Sequence, residues 1–180
     1  ITSSLFTLAQ IRIPNMIQLN EHFRCVPDII AFSNYHIYEG KLKPLRYPNP
    51  RGLLKPALVP VFIEKGYQNT NNKVNEPEAR AVVEKLVECL KDPKYQKRPD
   101  GRLCTFGIIS LLAEDQAKYI ERLIRDLVAK GLITEQEIEE RRIECGDAYK
   151  FQGDERDVML LSMVRSLDPN NLQDTVAPLV

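Results

Sequence analysis

The sequence predicts an α/β domain built on a largely parallel sheet flanked by helices. Short apolar runs bounded by turn residues alternate with longer segments whose apolar residues recur at helical spacing. The run 158–164, VMLLSMV, is almost wholly apolar, as expected of a strand buried on both faces. A polar stretch, FQGDERD at 151–157, separates it from a shorter apolar run at 143–145 and is too charged for any core. Gly153 permits a tight backbone there, so that amides and carboxylates can face a ligand.

Taken in order, residues 16–19 read as a short strand. Pro27 suits the first turn of a helix running to about residue 38, because its missing N–H would have no helical partner there; Gly40 then stops the helix. Arg24 falls between that strand and that helix. Its planar, permanently charged fork suits a phosphate, although a loop arginine standing alone is more often a surface residue or a carboxylate partner. Residues 43–55 are rich in Pro and Lys and read as a loop. Residues 57–65 are a strand candidate in which Pro60 requires an edge position or a bulge. Acidic residues at 76 and 78 open a helix whose inner face is Ala79, Val82, Val83, Leu86, Val87 and Leu90. Residues 103–110 read as a buried strand. An amphipathic helix follows at about 114–130, with Gly131 as its C-terminal cap. Thr134 and Glu137 form a capping box for a short helix at 134–140, after which Arg141 and Arg142 are expected on the solvated surface.

At 180 residues the chain suits one domain, 1–180, able to bury roughly two-thirds of its unfolded surface. Lys plus Arg number 25, as do Asp plus Glu, so charge lends no support to an isolated, high-affinity DNA-binding module. Cys25, Cys89, Cys104 and Cys145 are scattered without zinc-like spacing and are expected to be reduced thiols of a cytoplasmic protein; no metal ligand is expected. No apolar run approaches the length needed to cross a membrane. The chain begins without Met and is expected to be cut from a longer one.

The stretch FQGDERDVMLLSMVRS, 151–166, resembles motif V of superfamily 1 helicases, in which an (F/Q)QGxExD loop precedes a strand ending in Ser-x-Val-Arg-(Ser/Ala). It is similar in particular to the Upf1-like branch and to large bacterial helicase-like ATPases. The segment LNEHFRCVP, 19–27, resembles motif IV of the same family, usually written with Tyr-Arg where Phe23-Arg24 stands here. Phe for Tyr keeps a stacking face and loses the hydroxyl. His22 stands where the family has Gln or Asn and is given no role. Tyr38-x-Gly40-x-Leu42 matches the family's Tyr-x-Gly-x-Leu ending, and Asn75-x-x-Glu78-Ala79 is similar to an N-x-x-E-A helix start. GIISLLAEDQ, 107–116, resembles the element (V/I)-(G/I)-I-(T/S)-P-Y-x-x-Q, with Leu111-Leu112 in place of Pro-Tyr.

The resemblance implies the second RecA-like, P-loop NTPase-type domain of a superfamily 1 helicase, over roughly 5–166. In the family the motif IV aromatic lies against adenine and its Arg reaches the γ-phosphate, which gives Phe23 a cofactor-binding role and Arg24 a catalytic one. It places Gln152, Gly153 and Glu155 on the nucleotide side, with Glu155 accepting a hydrogen bond from the ATP ribose. Ser110, Gln116 and Ser162 would line the path of a single nucleic-acid strand. No GxxxxGK(S/T) loop and no acidic Walker B pair occur, and motif VI is not found in 167–180. ATP and Mg²⁺ are therefore expected to be held mainly by an upstream RecA-like domain of the same polypeptide. The expected function is the C-terminal motor domain of an ATP-dependent DNA or RNA helicase or translocase, supplying half of the ATP cleft and of the single-strand path, with this chain inactive by itself. The alternative is a non-catalytic RecA-like interaction domain that has lost motor activity. Arg24, Gln152, Gly153 and Glu155 together favour the motor.

Overall fold

In the computed structural model, residues Ile1–Val59 and Pro60–Val180 form two compact units. The structure describes residues 4–13, 15, 17–46, 54–69, 71–112 and 114–166.

In the first unit, helix α1 (Leu5–Arg12) starts at Ser4, whose hydroxyl accepts from the Thr7 amide. Strand β1 (Glu21–His22) pairs in parallel with β2 (Lys43–Pro44), and helix α2 (Pro27–His36) connects them. Pro27 takes the first turn of α2, as expected. The Asn34 side chain both donates to Leu42 O (3.0 Å) and accepts from Leu42 N (2.9 Å), so the helix is stitched to the chain entering β2. Neither α1 nor α2 buries a residue, and Phe6, Ile11 and Phe32 are all exposed.

The second unit is the α/β body. Helix α3 (Glu76–Lys91) leads through a short 3-10 turn to strand β3 (Phe106–Ser110), helices α4 (Glu114–Ala129) and α5 (Glu135–Glu140), and strands β4 (Glu144–Asp147) and β5 (Val158–Ser162). The strands are all parallel in the order β4-β3-β5. Phe106 and Ile108 of β3, Cys145 of β4, and Val158 and Leu160 of β5 pack with Leu86 of α3 and Ile120 of α4 in one core. Ile108, Leu86 and Ile120 are wholly buried. Truncating any one of them to Ala would cost about 2–5 kcal/mol through lost transfer energy and the cavity left behind. The caps act as read from sequence: Thr134 accepts from Glu137 N, and Gly131 (φ +67°) ends α4 with paired bonds from Gly131 N to Val128 O and Leu132 N to Leu127 O. The fold is thus mixed α/β, with parallel strands in open sheets flanked by helices, consistent with a RecA-like fold.

Four local expectations need correction. Residues 17–19 of the strand expected at 16–19 form no ladder, and Met16 lies outside the described residues. Pairing starts at Glu21, where Lys43 N and Leu45 N donate to Asn20 O and His22 O. Residues 57–65 also form no ladder; Pro60 interrupts them, and Leu58, Val59, Val61 and Phe62 are exposed. Strand β5 is not covered on both faces. Its Val158 and Leu160 meet the helices, whereas Leu161 on the other face is 53% exposed. Arg141, expected in solvent, is buried: its guanidinium donates to Tyr95 O (3.2 Å) and to the Gln96 side chain, satisfying groups around the turn after α3.

Candidate functional site

The FQGDERD loop runs from the carboxyl end of β4 to the amino end of β5, so it must travel the length of the sheet while crossing β3. It does so without a helix. Two successive turns start the descent, closed by Gln152 N to Tyr149 O and Asp154 N to Phe151 O, each at 3.0 Å. Gly153 is third in the second turn with φ +83°, the left-handed value that a type II turn needs there. No atom would meet a Cβ at Gly153, so the demand is conformational. Phe151 is buried against the sheet, where an added Cβ on Gly107 would lie 2.9 Å from its ring and 2.7 Å from Met159 Sδ.

From Asp154 onward the loop lies at the amino edge. Arg156, its side chain only 2% exposed, grips Asp154 and Glu144, donates to Arg142 O at 3.0 Å, and lies 5.5 Å from the Phe151 ring centroid. Arg142 also donates to Asp154, at 3.0 Å. These charges line a shallow cleft of about 380 Å³, but they are spent on one another. The bond from Arg156, then that from the Glu155 amide, hold the Asp154 carboxyl down at about 2. The loop is therefore divided by role. Asp154, Arg156 and Asp157 hold it in place, while the side chains of Gln152 and Glu155 are exposed and have no partner among the described residues.

In the first unit, Phe23 and Arg24 occupy the turn between β1 and α2. Phe23 is 66% exposed, Arg24 is also exposed, and no carboxylate pairs with the Arg24 guanidinium among the described residues. The turn is closed by His22, whose Nε2 accepts from Cys25 N at 3.0 Å, a task only an unprotonated nitrogen can perform. Arg46 donates to the Arg24 carbonyl from the far side of β2.

Ser110, Gln116 and Ser162 come together at the carboxyl edge of the three-stranded sheet, but inside it. Ser110 and Ser162 face each other across the β3–β5 ladder, and both are buried. Gln116 has no exposed surface; it donates to Ser162 Oγ (3.0 Å) and Asn75 O (3.2 Å) and accepts from Asn75 N (2.9 Å). Their neighbours Leu111, Leu112, Met163 and Arg165 are exposed at that edge.

An AAA domain family model matches residues 1–176, nearly the whole chain. The chain belongs to this AAA domain family. The domain is one found in superfamily 1 helicases, and membership marks a helicase-like, nucleotide-binding ATPase domain. No curated protein gives a significant match.

In the first unit Phe23 and Arg24 present an exposed aromatic face and an exposed guanidinium; in the second unit the Gln152–Glu155 turn presents outward polar groups. Among the described residues no group of three His, Cys, Asp or Glu side chains is placed to hold a metal ion, and no helix is long and apolar enough to cross a membrane. The cysteines are free thiols; Cys145 donates to Ala117 O (3.6 Å), and burial pushes it up to about 12. Sequence reasoning missed Thr105 and Gly107, gave His22 no role, and assigned Asn75 and Glu78 only to the start of a helix.

Proposed function

We propose that this AAA domain is the C-terminal motor half of an ATP-dependent superfamily 1 helicase or translocase acting on DNA or RNA. It supplies Phe23 and Arg24 to the base and γ-phosphate of ATP. Gln152, Gly153 and Glu155 supply the ribose side, and an upstream RecA-like domain of the same polypeptide holds ATP and Mg²⁺. The observation that carries the reading is Arg24. An arginine kept for structure would be engaged with a carboxylate, whereas this one stands exposed beside Phe23 with no such partner among the described residues. Ser110, Gln116 and Ser162 support the single-strand path from beneath, and exposed residues of the same edge make the contacts.

A guanidinium that meets charge developing on the γ-phosphate acts mainly in the transition state. Arg24→Ala in the full-length protein should therefore lower kcat, by about a thousandfold, far more than it raises KM. Arg24→Lys should recover little, because the planar fork is lost. Wild-type kcat in Arg24→Ala would refute the role given to Arg24, and the absence of a GxxxxGK(S/T) loop upstream in the parent chain would favour a non-catalytic interaction domain.

A further inference from the structure

Val164 is a β-branched residue with no exposed surface and φ +67°, a conformation that such side chains strongly disfavour. Arg165 N donates to Met163 O at 2.8 Å across it, the i→i+2 bond that with a positive central φ defines the rare classic γ-turn. The turn follows β5 directly, at the carboxyl edge of the parallel sheet, where open α/β sheets present their ligands. Strain of this kind persists only where the surroundings overdetermine it.

Those surroundings are three side chains from two helices. The Glu78 carboxylate accepts from Met163 N at 2.6 Å and from Val164 N at 2.9 Å. Asn75 Nδ2 donates to Val164 O at 2.9 Å while its Oδ1 caps α3 through Glu78 N at 3.2 Å. Gln116 at the start of α4 fixes Asn75 and ties it to Ser162. Burial pushes the Glu78 carboxyl above the usual carboxylate range, against the amides that pull it down. Helix α3 is already capped by Asn75, so the carboxylate serves the turn and not the helix.

The turn leaves Met163 and Arg165 exposed, next to exposed Leu111 and Leu112, whose segment is joined to the same strand end by Leu111 N to Ser162 O at 3.0 Å. A cation at such an edge can meet a phosphate of a single strand, and the apolar side chains beside it offer the bases a sequence-tolerant van der Waals surface. We propose that Asn75, Glu78 and Gln116 are positioning residues that hold the Met163–Arg165 turn so that Arg165 meets a phosphate of the bound strand. This rests on the nucleic-acid side of the function proposed above.

The test uses the full-length protein and a fluorescein-labelled oligothymidylate, with oligouridylate as a second probe, read by anisotropy. Arg165→Ala should weaken binding several-fold. Glu78→Gln keeps the shape but sets an amide NH₂ against one backbone N–H. It should weaken binding about fivefold in the parent and less than about twofold once Arg165 is already Ala, because coupled residues are not additive. Asn75→Ser retains a helix cap, loses only the bond to Val164 O, and should show the same dependence on Arg165; it decides the matter if Glu78→Gln does not fold. Equal losses in both backgrounds would mean general destabilisation and would overturn the proposal. So would wild-type binding by a folded Glu78→Gln, or by Arg165→Ala. The nucleotide-side reading stands or falls separately, on kcat in Arg24→Ala.

Discussion

Asp157 and Thr105 hold each other at the amino edge of the sheet: Asp157 Oδ2 accepts from the Thr105 amide and hydroxyl, each at 2.9 Å, and Thr105 Oγ1 accepts from Asp157 N at 3.0 Å. The other carboxylate oxygen faces Arg98 at 3.4 Å. One residue on, Val158 N donates to Thr105 O, so the lock sets the register of β5 against β3 and ends the polar loop.

Asp157→Ala leaves the Thr105 amide without its acceptor and should cost about 1–3 kcal/mol. Urea unfolding checks this. Stability equal to wild type would show that the register is set by the apolar strands alone.

Gly107→Ala places a methyl group against Met159 and the Phe151 ring. The thioether can swing aside, but the ring is pinned by its own loop. Overpacking of this kind should lower stability by about 1–3 kcal/mol and lift the loop that carries Gln152 and Glu155. Faster proteolysis within 148–156 would report the lift, and an unchanged cleavage pattern with normal stability would refute it.

Asp154 should titrate at about 2, below its ordinary 3.8, because the Arg156 bond and the Glu155 amide favour the carboxylate. The folded value is depressed, so the linked stability is fully present above the ordinary value and is lost as pH falls through about 2. Carboxyl carbon shifts followed by NMR give the midpoint. In Arg156→Ala it should move back toward 3.8, and an unmoved midpoint would remove Arg156 as the cause.

His22 positions the Phe23-Arg24 turn through one accepted hydrogen bond. His22→Gln brings an oxygen that can accept the same bond and should keep the nucleotide KM within about twofold of wild type. His22→Ala cannot, and should raise KM about fivefold, the equivalent of one hydrogen bond. Equal KM values for the two variants would detach His22 from the site.

Much of the second unit was legible because its signals are local. The apolar stripes of α3 and α4, the Thr134 cap and the Gly131 stop depend on neighbours within a turn or two. The polar residues did not reveal which way they face. FQGDERD reads as uniformly charged, and only the folded chain separates Gln152 and Glu155, which point out, from Arg156, which is buried among carboxylates. Gln116 and Ser162 look like surface polar groups, yet they are internal, because Asn75 meets Gln116 from 41 residues away and Gln116 in turn meets Ser162. Arg141 was misplaced for the same reason, since its partners Tyr95 and Gln96 are remote in sequence. Residues 57–65 have strand composition but no partner to pair with, which composition cannot show.

The brace around Val164 also has a consequence in time. Its bonds span 41 residues from Asn75 to Gln116, 46 from Gln116 to Ser162, and 86 and 89 from Glu78 and Asn75 to Val164. Closing such intervals is slow compared with winding the capped helices, so the γ-turn should assemble after the rate-limiting step. Interactions absent from that step govern the rate of unfolding and leave the rate of folding almost untouched. In stopped-flow chevrons, Glu78→Gln should raise the unfolding limb and spare the refolding limb; a matching drop in the refolding limb would put the brace in the nucleus. The carboxyl edge would then be the last part of the molecule to set and the first to let go.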